Sequence, residues 1–308
     1  MHVVAVGSLP QLRVTFTERS IQLSYIAVIQ IMSRGRRLKS YQDYEQALSK
    51  GVGSGHMQDY QPWLRVQDVK SHGNRSVVFG LKTMRAHHFM SIIESDFFYQ
   101  AEFNDSVIDI REQFPLLPLN LTEKIASHIA VKHPIVIGVS GPPVLYVMTT
   151  DFLLTIKEPD GGIKYKAFAV KPDGVPTVRV AEKLEIERLF WALHGIEFKV
   201  YIGSELNRII SKNISWATSA LRMDASCHDH LPYQEVASAL VPGDHIIEAL
   251  CSSQARKFNV EYSDILTVIQ LLIARKFIQV DLTTPILEVG VLRVLSNTCD
   301  KKVSELWK

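Results

Sequence analysis

Residues 147–174 read VMTTDFLLTIKEPDGGIKYKAFAVKPDG, and this stretch limits the possible folds more than any other part of the chain. Two apolar runs, residues 144–156 and 163–170, flank the turn sequence KEPDGG. Pro, Asp and paired Gly in that position punctuate a β-hairpin. Strands this apolar are built for burial. Each nevertheless carries a charge at one point: Asp151 lies inside the first run and Lys171 ends the second.

The elements around the hairpin define its class. Ser91 followed by Glu94 is a capping-box pattern that predicts a helix over residues 91–103, with Ile93, Phe97 and Ala101 as its apolar stripe. Residues 59–69 and 76–90 read as strand-like segments separated by the turn KSHGN, and residues 106–118 as a strand ending at prolines. TEKIASHIAVKHP predicts a short helix. After the hairpin, residues 177–195 predict a helix with Ile186, Leu189, Phe190 and Leu193 on one face and Gly195 as C-cap. IEFKVYIGS then alternates as a strand. Strand, strand, helix, strand is a mixed α/β core.

After Ser204 the pattern changes. Helices are predicted at ELNRIISKNISWATSAL, GDHIIEALCSSQARKF and YSDILTVIQLLIARK. A closing hairpin is predicted from FIQVDL, TTP and ILEVGVLRVL. Two helices followed by a two-stranded wing is the order of a winged helix-turn-helix. Its basic residues Arg256, Lys257, Arg275 and Lys276 suit DNA or protein equally. At 308 residues and 46% hydrophobic content, the chain has material for such a pair of units. The expected division is an extension over residues 1–39, a catalytic unit over 40–204 and a winged helix over 205–308. The change of style at Met32 suggests that translation starts there.

Composition excludes several classes. A formal net charge of +2 argues against a protein that coats nucleic acid without specificity. Cys227, Cys251 and Cys299 form neither a disulfide framework nor a C-x-x-C pair, which points to a reducing, cytoplasmic compartment. No apolar run reaches the roughly 18–20 residues of a membrane span. CHDH at residues 227–230 lacks a second cluster at zinc spacing. The glycines Gly51, Gly53 and Gly55 are followed by no GK[ST], so they are not a phosphate loop.

The charges in the hairpin have a chemical use. Phosphodiester hydrolysis needs a divalent cation to polarise the phosphate and lower the pKa of water, and a fixed cation beside the developing charge. Magnesium takes carboxylates, carbonyls and water. Asp151 supplies a ligand, Lys171 the fixed cation, and Glu94 on the preceding helix a second carboxylate. This is the arrangement of PD-(D/E)xK nucleases. From the spacing alone a solvated strand Asp and a terminal strand Lys fit as well, and both readings stay open.

The blocks GSGHMQDYQPWLRVQDV, RAHHFMSIIES, SVIDIREQFPLLP, VKHP, MTTDFLL, AVKP and EKLEIERLFW occur in that order between Gly51 and Ser204. In this the chain resembles the TnsA family, the endonuclease subunit of heteromeric DNA transposases. The resemblance implies a restriction-endonuclease-like, magnesium-dependent DNA endonuclease, with manganese able to substitute. It implies that this subunit nicks the 5′ ends of the transposon, in cytoplasm on nucleoid DNA. A TnsB-like transposase handles the 3′ ends and a TnsC-like ATPase regulator contacts the C-terminal unit. Carried over by motif, Glu94 and Asp151 are metal ligands, the Val170 main-chain carbonyl completes the shell, and Lys171 is the catalytic lysine. Glu187 is either a carboxylate behind the ligands or a solvated helix charge. Where the family commonly has a polar residue two before the lysine, this chain has Ala169, which favours a rival reading as a decayed, DNA-binding adaptor. A free-standing nuclease is a third reading. His87 and His88 face opposite ways if they lie in a strand, which makes them structural or DNA contacts rather than a metal pair. Arg36 and Arg37, in the basic cluster RGRRLK, are either phosphate contacts or a solvated tail.

Overall fold

The computed structural model describes residues 35–69, 74–138, 142–223 and 231–299. The expected start at Met32 and the CHDH stretch lie outside the described residues. The first helix, α1 (Tyr41–Ser49), begins where Ser40 accepts a hydrogen bond from the Asp43 amide. The chain then runs irregularly to a hairpin of β1 (Ser76–Phe79) and β2 (Ala86–Phe89). This corrects two expectations. Residues 59–69 form no strand, because the Asp68 carboxylate captures the amides of Arg36 and Arg65 at 2.6 and 2.9 Å. Local side-chain acceptors of this kind compete with ladder pairing. Residues 76–90 are two strands, broken by a turn in which Met84 takes φ 55°.

The central sheet has the order β3-β6-β7-β8, formed by β3 (Val107–Pro115), β6 (Thr149–Lys157), β7 (Ile163–Lys171) and β8 (Glu197–Ile202). The first three strands are antiparallel and β8 joins β7 in parallel. The parallel pair is connected through α4 (Val178–Leu193), as a crossover requires. The predicted hairpin is therefore the centre of the sheet. Its first strand is shorter than expected. A two-residue β5 (Val144–Leu145) pairs instead with β4 (Ile135–Val136), and the chain turns aside at Tyr146, whose amide bonds to the Pro134 carbonyl.

Alternation along the strands separates two cores. Phe152 and Leu154 of β6 pack with Phe97 and Phe98 of α2 (Ile92–Phe103). Leu153 and Ala167 pack on the other face with Ile186, Phe190 and Trp191 of α4 and Ile125 of α3 (Leu119–His128). The inward stripe of α4 is rotated from the expected one: Leu193 is exposed, while Glu187 and Trp191 turn in beside Ile186 and Phe190. Positions 186 and 190, and 187 and 191, are successive turns of one face.

The C-terminal segment has its own core. It is built from α5 (Glu205–Ser219), α6 (Tyr233–Ala239), β9 (Gly243–Ile246), α7 (Ile247–Phe258), α8 (Tyr262–Ala274), β10 (Ile278–Val280), α9 (Ile286–Val289) and β11 (Val291–Asn297). Its strands order as β10-β11-β9, all antiparallel. The helix expected from Gly243 opens with a strand, because residues 243–246 pair with residues 291–294 of β11. The last expected strand starts late, after α9 ends at Gly290 with φ 70°.

The outer side of α2 joins the two segments. Asp96 pairs with Arg208 at 2.6 Å and Glu102 with Arg222 at 2.5 Å. Lys276 reaches Asp105 just beyond the helix at 2.5 Å. No helix among the described residues is long and apolar enough to cross a membrane.

Candidate metal centre and active site

Asp151 lies near the start of β6, between α2 on one face of the sheet and α4 on the other. Its Oδ2 accepts the Val170 amide at 2.7 Å and the Lys171 ammonium at 3.0 Å. Lys171 also donates to the Val170 carbonyl at 2.9 Å. The hairpin thus brings together the two charges that its sequence set apart. Burial alone lowers the lysine's affinity for a proton, but Asp151 outweighs it, and Lys171 is held above its ordinary range.

Glu94 comes from the first turn of α2. Ser91 accepts the Glu94 amide at 3.2 Å; Glu94 Oε1 accepts the Ser91 hydroxyl and Oε2 the Met90 amide, at 2.9 and 3.0 Å. Ser91 is thus the N-cap that the sequence predicts, while the return contact of Glu94 goes to the Ser91 hydroxyl and the Met90 amide rather than to the Ser91 amide of a full capping box. The same carboxylate faces Asp151. Burial first, and repulsion from Asp151 second, push Glu94 up to about 7.

Glu187 enters from α4 and is buried. Trp191 Nε1 donates to Thr150 Oγ1 at 2.6 Å, and the Thr150 hydroxyl bonds to Glu187. The other oxygen, Oε1, is buried without a partner. Burial and then Asp151 push this carboxyl up to about 8. The solvated alternative for Glu187 is therefore corrected: the stripe rotation of α4 turns it inward.

These residues fit a hard divalent cation. Asp151 pairs with the Lys171 ammonium, the Glu94 and Glu187 carboxyls from the flanking helices are raised by burial first and by the Asp151 charge second, and one Glu187 oxygen is orphaned. A metal ion is the standard compensation for such a cluster. Among the described residues no group of three or more His, Cys, Asp or Glu side chains stands together in a way that could hold a metal ion. Ala169 is fully buried and offers no side-chain oxygen.

The remaining sequence candidates lie elsewhere. His87 is fully enclosed, with Nδ1 2.8 Å from Glu112 Oε2 and Nε2 2.6 Å from Thr83 Oγ1. His88 is buried and pushed down to about 4, chiefly by burial. Both side chains are buried, which fits the structural alternative of the two that the sequence left open. Arg36 is tied to the carbonyls of Pro62 and Trp63 at 2.5 and 3.2 Å, so it anchors its own segment. Arg37 is exposed. The sequence reading passed over Thr150, which orients Glu187, and the buried Glu112, which holds Arg85 through paired bonds of 2.8 and 2.6 Å. Consecutive polar residues in REQ, inside a strand otherwise fit for burial, were the available signal.

The fold is a mixed α/β protein with an acid and a lysine on adjacent strands and a buried glutamate on each flanking helix. The family description "TnsA-like endonuclease N terminal" matches residues 104–203, which include Asp151, Lys171 and Glu187. The chain is 36% identical over 234 residues to the transposon Tn7 transposition protein TnsA of Escherichia coli, covering 75% of this chain and 83% of that protein. The chain belongs to the TnsA family.

Proposed function

We propose that this protein is the endonuclease subunit of a heteromeric transposase, hydrolysing one DNA strand at each 5′ end of the element. The carrying observation is the Asp151–Lys171 pair at one end of the central hairpin, with the buried carboxyls of Glu94 and Glu187 close enough to feel the Asp151 charge. Glu94 and Asp151, with the Val170 carbonyl, would hold magnesium or manganese, which when bound polarises the scissile phosphate and acidifies water. Lys171 sets a fixed positive charge where the phosphate gains negative charge. Glu187, kept in place by Thr150, adds a carboxyl that holds a proton near neutral pH.

In this reading residues 40–204 form a restriction-endonuclease-like unit and residues 205–308 a winged helix. The order helix, strand, helix, helix, strand, short helix, strand in α6 to β11, with β10 and β11 paired antiparallel, supports the second assignment. The proposed partners are transposon-end DNA, a TnsB-like transposase and a TnsC-like ATPase regulator, in the bacterial cytoplasm. The test is a reconstituted transposase carrying Asp151→Ala in this chain. We expect 5′-end cleavage to disappear while 3′-end cleavage continues; unchanged 5′ cleavage defeats the proposal.

Ala169 favours a second reading, a DNA-binding adaptor that has lost catalysis, since this position near the end of β7 gives the metal no side-chain oxygen. Calorimetric titration with manganese separates the two. Binding that vanishes in Glu94→Ala supports the nuclease, and no loss of binding on that change supports the adaptor.

A further inference from the structure

Asp151 has a neighbour on each side in the sheet. Phe152 pairs with Phe168, so Ala169 lies opposite Asp151 on β7. Glu112 pairs with Phe152 and Phe114 with Thr150, so the residue opposite Asp151 on β3 is Gln113. The ladder skips that one position. Gln113 is buried and takes φ 49°, a left-handed conformation that a side chain other than Gly, Asn or Asp rarely adopts. Backbone of this kind persists only where its surroundings enforce it, and it gathers at functional centres.

The carboxamide uses both ends. Nε2 donates to Glu94 Oε2 at 3.4 Å, and Oε1 accepts the Thr149 hydroxyl at 3.0 Å. This orientation follows from chemistry, because a carboxylate only accepts and the hydroxyl has a proton to give. The Gln113 carbonyl meanwhile accepts the Trp63 amide at 3.1 Å, which fixes the turned backbone. Thr149 borders a cavity of about 380 Å³ that Lys171 and Glu187 also line. The hydrogen-bonded path therefore runs from Glu94 through Gln113 to the wall of the candidate active site.

We propose that Gln113 is a positioning residue for the metal centre: its carboxamide, aimed by the left-handed turn in β3, holds the Glu94 carboxylate facing Asp151. This inference rests on the nuclease reading above. It also explains how a centre with alanine on β7 keeps an ordered ligand set, since the polar neighbour of Asp151 stands on β3 instead.

Gln113→Gly is the informative variant. Glycine adopts positive φ without strain, so the turn survives while the carboxamide is lost. Thr149→Val leaves Gln113 and its backbone in place and removes only the outer anchor. We expect calorimetry to give a manganese Kd at least tenfold weaker for Gln113→Gly and severalfold weaker for Thr149→Val, with melting temperatures close to wild type. In the reconstituted transposase, the manganese concentration giving half-maximal 5′ cleavage should rise in parallel. A folded Gln113→Gly protein with metal affinity within twofold of wild type overturns the inference while leaving the nuclease reading intact. If Gln113→Gly does not fold, unaltered affinity in Thr149→Val overturns it equally. A wild-type protein that neither binds manganese nor cuts removes the reading underneath.

Discussion

Glu94 and Glu187 approach Asp151 from opposite sides of the sheet, and neither has a cation to itself. Their folded values of about 7 and about 8 lie above the ordinary 4.5. Between those values the folded chain keeps protons that the unfolded chain has released. Stability of the metal-free protein must therefore fall as pH rises through that window, and the whole loss is present above about 8. Thermal melts from pH 5 to 9 should show this decline, and Glu187→Gln should flatten it; a melting temperature that is level or rises across the range would contradict the assignment. Manganese should restore stability most at the alkaline end, because binding displaces the same protons. Thr150→Val should cost on the order of 1–3 kcal/mol in urea denaturation, since it leaves Trp191 Nε1 and Glu187 without their shared partner. Asp151 and Lys171 were legible in the sequence because a charge in an apolar run stands out, and Glu94 because a capping motif announced it. Gln113 was not, since nothing in IREQF signals a left-handed backbone.

The element that matters most is α2. Its inner face sets Phe97 and Phe98 into the core and carries Glu94, and its outer face offers Asp96 and Glu102 to arginines of the C-terminal segment. Arg222 serves three acceptor groups: the Phe79 carbonyl, Thr218 and Glu102. Arg222→Ala leaves the buried Glu102 carboxylate without its ion-pair partner, with the Leu81 amide still bonded to it, and should cost on the order of 3 kcal/mol by chemical denaturation. Arg222→Lys should recover only part of it, because an ammonium cannot reproduce the planar fork. The long helices and the hairpin were readable from periodicity and turn residues. The short elements were not. GDHI pairs as a strand only because β11 arrives beside it from 45 residues downstream, and four residues hold no period of their own.

Across the whole molecule, the ion pairs of α2 make the C-terminal segment part of the scaffold that carries Glu94. A chain ending at residue 204 would leave Asp96 and Glu102 without their arginines. We expect its melting temperature to fall by roughly 5–10 °C relative to the full chain, following the usual scaling for a domain of this size. Equal melting temperatures would show that the two segments are energetically independent.

The Lys171–Asp151 contact has one more consequence. The ammonium rests on the same oxygen that accepts the Val170 amide, and on the Val170 carbonyl, so it covers two of the groups proposed above as metal ligands. Lys171→Ala should therefore bind manganese more tightly than wild type while cutting nothing, a pairing that titration and a cleavage assay can read side by side. On the proposed function, the lysine that serves the phosphate also guards the ion's place, so occupancy of the one position is tied to occupancy of the other.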